Sequence, residues 1–555
     1  MCILLGIITF LPIFKAKQII ITYGIHPFNI CDTNPTLWDL IKKTFIMTFI
    51  FSNTIISNFI YNSIFKKSNK NFNKKIINNT PQTKLNLLIG EEIKSKSKIY
   101  IPESGLYQNF LITGTIGSGK TSSAMYPFTE QLIEYNSNNP NDKIGMLILD
   151  VKGNYCQQVK NYADNFNLKD DLIIIELHSN ICYNPLHKPH LRPQVLANRL
   201  RTILELFSEN NQESYWLDKS EQILTECIKL CRLYNNGYVN FTEIHKLVTL
   251  PNYYKEQIEK LRGLFIQSKF SVQDVYNLNS SLEFFQRELF SLDQRTLSIL
   301  KSEITRITNV FISDYDISKT FCPQEKYLTF TGFEDTIKNG KIVILNMNIS
   351  EYKNLSKIIA AYLKLDFQTE ILSSLSKNIR KKTAFICDEY AEYATKSDSQ
   401  FFSLSREAKC INIVSTQSYS SLKNTLHDDT STKVIIQNLI NKIWFRTDDI
   451  FTIEEAQKQL GKEEKTKTSQ SISESAKTTK FSYITNTFNS QDSNVSESYN
   501  TYTQNDFIYD TNYFSQNLET FHCLAFLSNG TKILKPCTIK MFPYFSKTKG
   551  ENNEK

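Results

Sequence analysis

Phe110-Leu111-Ile112-Thr113-Gly114-Thr115-Ile116-Gly117-Ser118-Gly119-Lys120-Thr121 is the stretch on which the reading of this chain turns. Its apolar opening reads as a β-strand, and residues 114–121 fit G-x-x-x-x-G-K-[ST], the P-loop pattern. Glycines at those spacings let successive backbone N–H groups turn inward around a chain of phosphates. Lys120 adds a point charge for the β- and γ-phosphates, and the Thr121 hydroxyl is a ligand for Mg²⁺. Gly114, Thr115, Ile116, Gly117, Ser118, Gly119, Lys120 and Thr121 are therefore the candidate cofactor-binding residues, with ATP and Mg²⁺ as the implied cofactors.

Working outward, residues 124–135 continue as the helix after the loop. Apolar runs at Met146-Leu147-Ile148-Leu149 and over 172–177 read as further strands. Strand, helix, strand, repeated, predicts an α/β fold with a mostly parallel sheet. From about residue 197 the strand signal stops and apolar residues recur at helical spacing, as in Leu200, Ile203, Leu204 and Phe207. An all-α domain over 197–325 is therefore expected inside the α/β region. Strands resume at Ile342-Val343-Ile344-Leu345, Ala384-Phe385-Ile386-Cys387, Ile411-Asn412-Ile413-Val414 and Ile443-Trp444-Phe445. Residues 461–504, rich in Ser, Thr, Asn, Lys and Glu with few apolar residues, are expected as a disordered loop, because they offer too little surface to bury.

A P-loop needs an acidic element at the end of a neighbouring strand, and Phe385-Ile386-Cys387-Asp388-Glu389 supplies one. Asp388 is the second metal candidate beside Thr121, and Glu389 the residue to polarise an attacking water. Asp150-Val151-Lys152-Gly153-Asn154 ends another strand, as a turn beside phosphate or a plain turn. Gln417, closing Ser415-Thr416-Gln417, is a candidate sensor of the γ-phosphate. Arg406, in Ser405-Arg406-Glu407-Ala408-Lys409, offers a planar, permanently charged group for a transferring phosphoryl. Lys120, Glu389, Arg406 and Gln417 are the catalytic candidates.

At 555 residues the chain exceeds one ordinary core, and its formal net charge of +8 suits an anionic partner. Much of the lysine excess accompanies heavy use of Asn, Ile and Tyr throughout, so charge alone names no ligand. The eleven cysteines are scattered without C-x-x-C or histidine partners, which predicts reduced thiols and no structural zinc. Residues 44–65 carry no charge over a length that spans a bilayer, and Lys66, Lys67, Lys70, Lys74 and Lys75 follow at once. One transmembrane segment with the main body cytoplasmic is expected there, a buried core helix being the alternative. Residues 1–14 are apolar but short: a marginal first span, a start-site truncation of one, or an interfacial segment.

Together these residues resemble the coupling proteins of type IV secretion and conjugation, TraG/TraD-like members of the FtsK/HerA branch of P-loop ATPases. The resemblance rests on residues 114–121, on Asp150-Val151-Lys152-Gly153-Asn154 against the family's D-P-K-G-E, on Asn184-Pro185-Leu186, on Cys387-Asp388-Glu389-Tyr390, and on Ser405-Arg406 leading to Thr416-Gln417. It covers roughly residues 85–545. It implies a membrane anchor over 1–75 with one or two transmembrane helices, a RecA-like nucleotide-binding domain in two parts, 76–196 and 326–545, the all-α domain between them, and a tail, 546–555. It further implies an ATP-driven homo-hexamer in the cell (inner) membrane, its ATPase domain cytoplasmic, that feeds DNA or relaxase-bound DNA to a type IV secretion channel. DNA, a relaxase or relaxosome, channel components and the membrane are the implied partners, and Arg406 takes the family's arginine-finger position. A segregation or packaging motor, or a non-hydrolysing membrane scaffold, are the alternative readings. Val151 and Asn154 depart from the family motif, and the tail is not acidic.

Overall fold

Strands buried on both faces need continuous apolar sequence, and the central runs of this chain have it. The computed structural model describes residues 36, 39, 43, 47, 84–139, 141–150, 153–206, 214–267, 270–377, 381–474, 479–482, 487–490 and 495–546. Its strands are β1 (Asn86–Glu92), β2 (Lys98–Pro102), β3 (Phe110–Thr113), β4 (Gly145–Leu149), β5 (Leu172–Ile175), β6 (Ile342–Leu345), β7 (Thr383–Cys387), β8 (Cys410–Thr416) and β9 (Asn441–Trp444). They continue with β10 (Lys462–Glu474), β11 (Thr479–Ser482), β12 (Thr487–Ser490), β13 (Val495–Phe507), β14 (His522–Phe526) and β15 (Cys537–Lys540).

Eleven strands form one sheet in the order β2-β1-β15-β14-β9-β3-β8-β7-β4-β6-β5. From β9 to β5 every pairing is parallel. The β2, β1, β15 and β14 side is antiparallel, joined to β9 through Leu524↔Trp444. The sheet is thus mixed and largely parallel. Alternation along each strand feeds two cores: Leu111, Leu147, Phe385 and Val414 face one side, and Phe110, Ile112, Met146, Ile386 and Ile413 the other.

Between β5 and β6 lies a run of helices from Pro193–Leu206 and Ser214–Tyr234 to Gln294–Ile312 and Tyr315–Phe321. This helical block shares the core of the Leu111 side of the sheet. At its junction Asp366, on the long helix Ile349–Ser376, binds Lys188 at 3.0 Å and Arg199 at 2.7 Å, and accepts from the Tyr183 hydroxyl at 2.6 Å. All of these groups are buried. The two cations hold the Asp366 carboxyl below its ordinary range against the opposing effect of burial.

Two expectations change. No helix among the described residues is long and apolar enough to cross a membrane, which corrects the expectation of an N-terminal transmembrane segment. Residues 44–65 lie outside the described residues except Met47. Their uncharged run is diluted by Asn53, Asn58 and Asn62, whose amides are costly in hydrocarbon. Residues 461–504, expected as a disordered loop, contain ordered strand instead: β10 and β13 pair antiparallel from Lys462↔Phe507 to Glu474↔Val495, and β11 pairs with β12. Backbone pairing supplies this order without a buried apolar face.

Candidate nucleotide site

The loop 114–121 leaves the C-terminal end of β3 and enters helix through one wide turn, Thr121–Met125, before Tyr126–Glu134. Gly117 and Gly119 have φ of +79° and +101°, values that L side chains rarely adopt, so the bend depends on glycine. The Lys120 ammonium folds back over the loop, donating to the Gly114 carbonyl and to that of Thr115 at 3.3 Å, and the residue is 5% exposed. Its charge is thereby held against the loop.

The acidic pair reaches the same place from β7, although β7 is not the neighbour of β3. β8 lies between them, which separates the pair by one strand more than the sequence reading expects. That intervening strand takes part in the site. Thr121 Oγ1 donates to Asp388 Oδ2 at 2.9 Å, and Ser415 Oγ, at the end of β8, donates to Asp388 Oδ1. The Glu389 amide donates to Asp388 Oδ1 at 3.2 Å and to Ser415 Oγ at 3.4 Å. Glu389 itself sits at φ +53°, ψ 48°. A left-handed glutamate is uncommon outside functional sites, and here the surrounding hydrogen bonds fix it.

Lys120, Thr121, Asp388, Glu389 and Asp150 line one cavity of about 410 Å³, a volume within the usual range for small-ligand sites. Asp150 accepts from the Tyr155 amide at 3.0 Å and so also satisfies the start of the helix Asn154–Asn165. Val151 and Lys152 lie outside the described residues. Tyr126 completes this wall; burial first, then the Asp150 and Asp388 charges, raise its phenol pKa, so the hydroxyl stays protonated. Among the described residues no group of three or more His, Cys, Asp or Glu could hold a metal unaided. One hydroxyl and one carboxylate instead suit a Mg²⁺ that draws its remaining ligands from water and phosphate.

Gln417 and Arg406 are placed elsewhere. Gln417 is exposed and lines a second cavity, with Asp448 and Asp449, that shares only Thr115 and Ile116 with the first. Arg406 is exposed in the turn before β8. The seven residues of β8 put it roughly 20 Å from Asp388, at the opposite end of the central strands. Sequence reasoning missed Phe521 and Tyr544, which also line the nucleotide cavity. No motif marks them, and they come from turns flanking the chain's last two strands, about 400 residues after the loop.

Residues 382–507 match the family model described as the TraM recognition site of TraD and TraG. Over those residues the chain is similar to TraD and TraG. Its fold is shared with the bacterial conjugative coupling protein TrwBdeltaN70 in an unbound form, at 14% identity over 80% of this chain and 87% of that one, with a TM-score of 0.52. The plasmid coupling protein TrwB in complex with the GTP analogue GDPNP matches at 13% identity over 84% and 96%, with a TM-score of 0.52. TrwB in complex with ADP and Mg²⁺ matches at 13% identity over 80% and 87%, TM-score 0.51. At such identities the likeness is one of fold. No match to a curated protein sequence was found.

Proposed function

We propose that this chain is an ATP-hydrolysing, ring-forming motor of the coupling-protein kind, which moves DNA or relaxase-bound DNA toward a type IV secretion channel at the cell membrane. The observation that carries the reading is the linkage of Thr121, Asp388 and Ser415, with Glu389 beside it, at the mouth of the P-loop. Solved relatives in fold that bind ADP with Mg²⁺, or a GTP analogue, support it. In this reading Gly114, Thr115, Ile116, Gly117, Ser118 and Gly119 cradle the phosphates. Lys120 neutralises charge on the β- and γ-phosphates, and Thr121 and Asp388 hold the metal. When bound, Mg²⁺ would offset the negative charge that develops on the phosphate oxygens. The Glu389 carboxylate accepts a proton from the attacking water. Gln417, on the outer flank of the loop, would act only after a shift toward the γ-phosphate, and Arg406 would act on the site of the next subunit in a homo-hexamer.

The test is ATP hydrolysis by the purified chain, with and without DNA. Lys120→Ala abolishes turnover, whereas Glu389→Gln still binds ATP and hydrolyses it far more slowly. Wild-type turnover by Glu389→Gln would remove that residue from its role. DNA stimulates hydrolysis whatever its sequence, and its binding falls steeply with salt as counterions are released. Absence of hydrolysis in every DNA condition would leave a scaffold rather than a motor.

A further inference from the structure

The nucleotide cavity has two unlike walls. Besides Lys120 and the acids it is lined by Phe521 and Tyr544, both contributed by the C-terminal part of the chain. Backbone hydrogen bonds fasten this segment to the loop: the Phe521 amide donates to the Ser118 carbonyl at 3.1 Å, and the Tyr544 amide to the Ser122 carbonyl at 2.9 Å. The Phe521 ring lies directly on Gly119, where a Cβ would come within 2.5 Å of its Cδ1. Phe521 takes φ +65°, uncommon for a bulky residue, and its carbonyl is held by the Met541 amide at 2.8 Å. Tyr544 meets Tyr126 edge-on at 5.2 Å. The chain thus maintains a strained backbone to keep an aromatic ring against the phosphate loop, with both aromatic side chains only partly covered.

We propose that Phe521 and Tyr544 form the nucleobase subsite, taking a purine by stacking and without distinguishing adenine from guanine. The inference rests on the nucleotide reading above and extends it to substrate class. A nucleotide whose phosphates lie in the loop extends its sugar and base out of the cradle, toward this wall. Stacking uses the π-face that every base has. Telling adenine from guanine needs fixed donors and acceptors at the base edge. The polar side chains beside the two rings are the hydroxyls of Ser122, Thr520 and Tyr544, and a hydroxyl donates or accepts as required. Asn154, the one side-chain amide among the lining residues, starts the helix beside Asp150 on the acidic side.

The experiment measures affinities of the full chain with Mg²⁺ for ATP, GTP and inorganic triphosphate, in wild type, Phe521→Leu and Tyr544→Leu. Leucine keeps apolar volume against Gly119 and removes the ring. Wild type is expected to bind ATP and GTP within about threefold of each other, and triphosphate on the order of tenfold more weakly. Each variant loses about threefold to tenfold for both nucleotides and leaves triphosphate unchanged. Unchanged ATP affinity in both variants overturns the subsite. Equal loss for triphosphate also overturns it, since the rings would then only support the loop. A preference above roughly tenfold for ATP over GTP overturns the lack of discrimination. A wild-type chain that binds none of the three probes overturns the nucleotide reading itself.

Discussion

The two ends of the central strands are built on opposite plans. At the nucleotide end Lys120, Asp388 and Ser415 are buried and tied to one another or to the loop, through β3, β7 and β8. At the other end Arg406 is exposed, while the turn that carries it is pinned from below. Ser405 is buried against Asn412 at 3.0 Å and Asn109 at 3.3 Å, and the Asn412 amide donates to Asn109 at 2.7 Å. A rigid turn that presents an exposed guanidinium is suited to a surface outside its own chain. In the proposed ring, the difference would separate what one chain completes from what it offers to a neighbour.

The largest expected effect breaks or confirms that division. A P-loop site made by one subunit leaves charge developing on the γ-phosphate partly unneutralised, and an arginine from a neighbour is worth roughly 10³ to 10⁵ in rate. Arg406→Ala is expected to lose hydrolysis on that scale while binding ATP normally. Mixed with Lys120→Ala, it recovers part of the activity, because some interfaces then pair an intact loop with an intact arginine. Full activity of Arg406→Ala alone would make the exposed turn a plain surface. Failure to complement in rings shown to be mixed would confine the effect to its own subunit.

The segment joining the acid pair to Arg406 is anchored at Asp398, which starts the helix Asp398–Leu404. Asp398 binds Lys364 at 2.6 Å, the Tyr390 hydroxyl at 2.5 Å, the Thr395 amide at 2.9 Å and Gln368 at 2.9 Å, with both ion-pair side chains fully buried. Removing one member strands the other charge in the interior, a loss typically of about 3–5 kcal/mol. Asp398→Ala is expected to destabilise the protein on that scale in urea denaturation, and Lys364→Met combined with it to restore much of the loss. A single variant as stable as wild type would show that this anchor does not hold the two ends in register.

The sequence was informative where chemistry and periodicity coincide. Residues 114–121 follow an apolar run, and Asp388-Glu389 end one, so the loop and its acids are local patterns. Strand order is not local. Nothing in Cys410–Thr416 says that this strand lies between β3 and β7, although that placement brings Ser415 onto Asp388. Phe521 and Tyr544 were hidden for the same reason: their role depends on backbone contacts to Ser118 and Ser122, far away in sequence. In β10 and β13, where Thr466, Thr468, Gln470, Tyr499, Thr501 and Thr503 pair across the ribbon, the polar pattern offers no period that signals a buried face. Helical spacing at Leu200, Ile203 and Leu204 was readable because that face is buried.

The smallest expected effect sharpens the comparison through a second lysine. Lys120 is buried at the nucleotide end, where phosphate charge would meet it; Lys442 is buried toward the other end of the sheet, on β9. Its ammonium donates to the Leu439 carbonyl at 3.0 Å, a neutral acceptor, and no ion pair of Lys442 occurs among the described residues. Burial pushes its pKa down to about 8, from 10.5. Below pH 8 both folded and unfolded chains carry the proton, so the folded state bears the full cost of a desolvated cation. As pH rises from about 8 to 10.5 the folded chain releases the proton before the unfolded one does, and stability rises with pH. The difference of about 2.5 units corresponds to about 3 kcal/mol at most. Lys442→Met, which keeps the stem volume without the charge, is therefore expected to stabilise the protein at pH 7 by up to that amount. Its advantage fades as pH approaches about 10.5. Urea denaturation across that range decides the point: an advantage independent of pH would mean packing rather than charge, and a loss of stability at pH 7 would mean that the carbonyl compensates the ammonium in full.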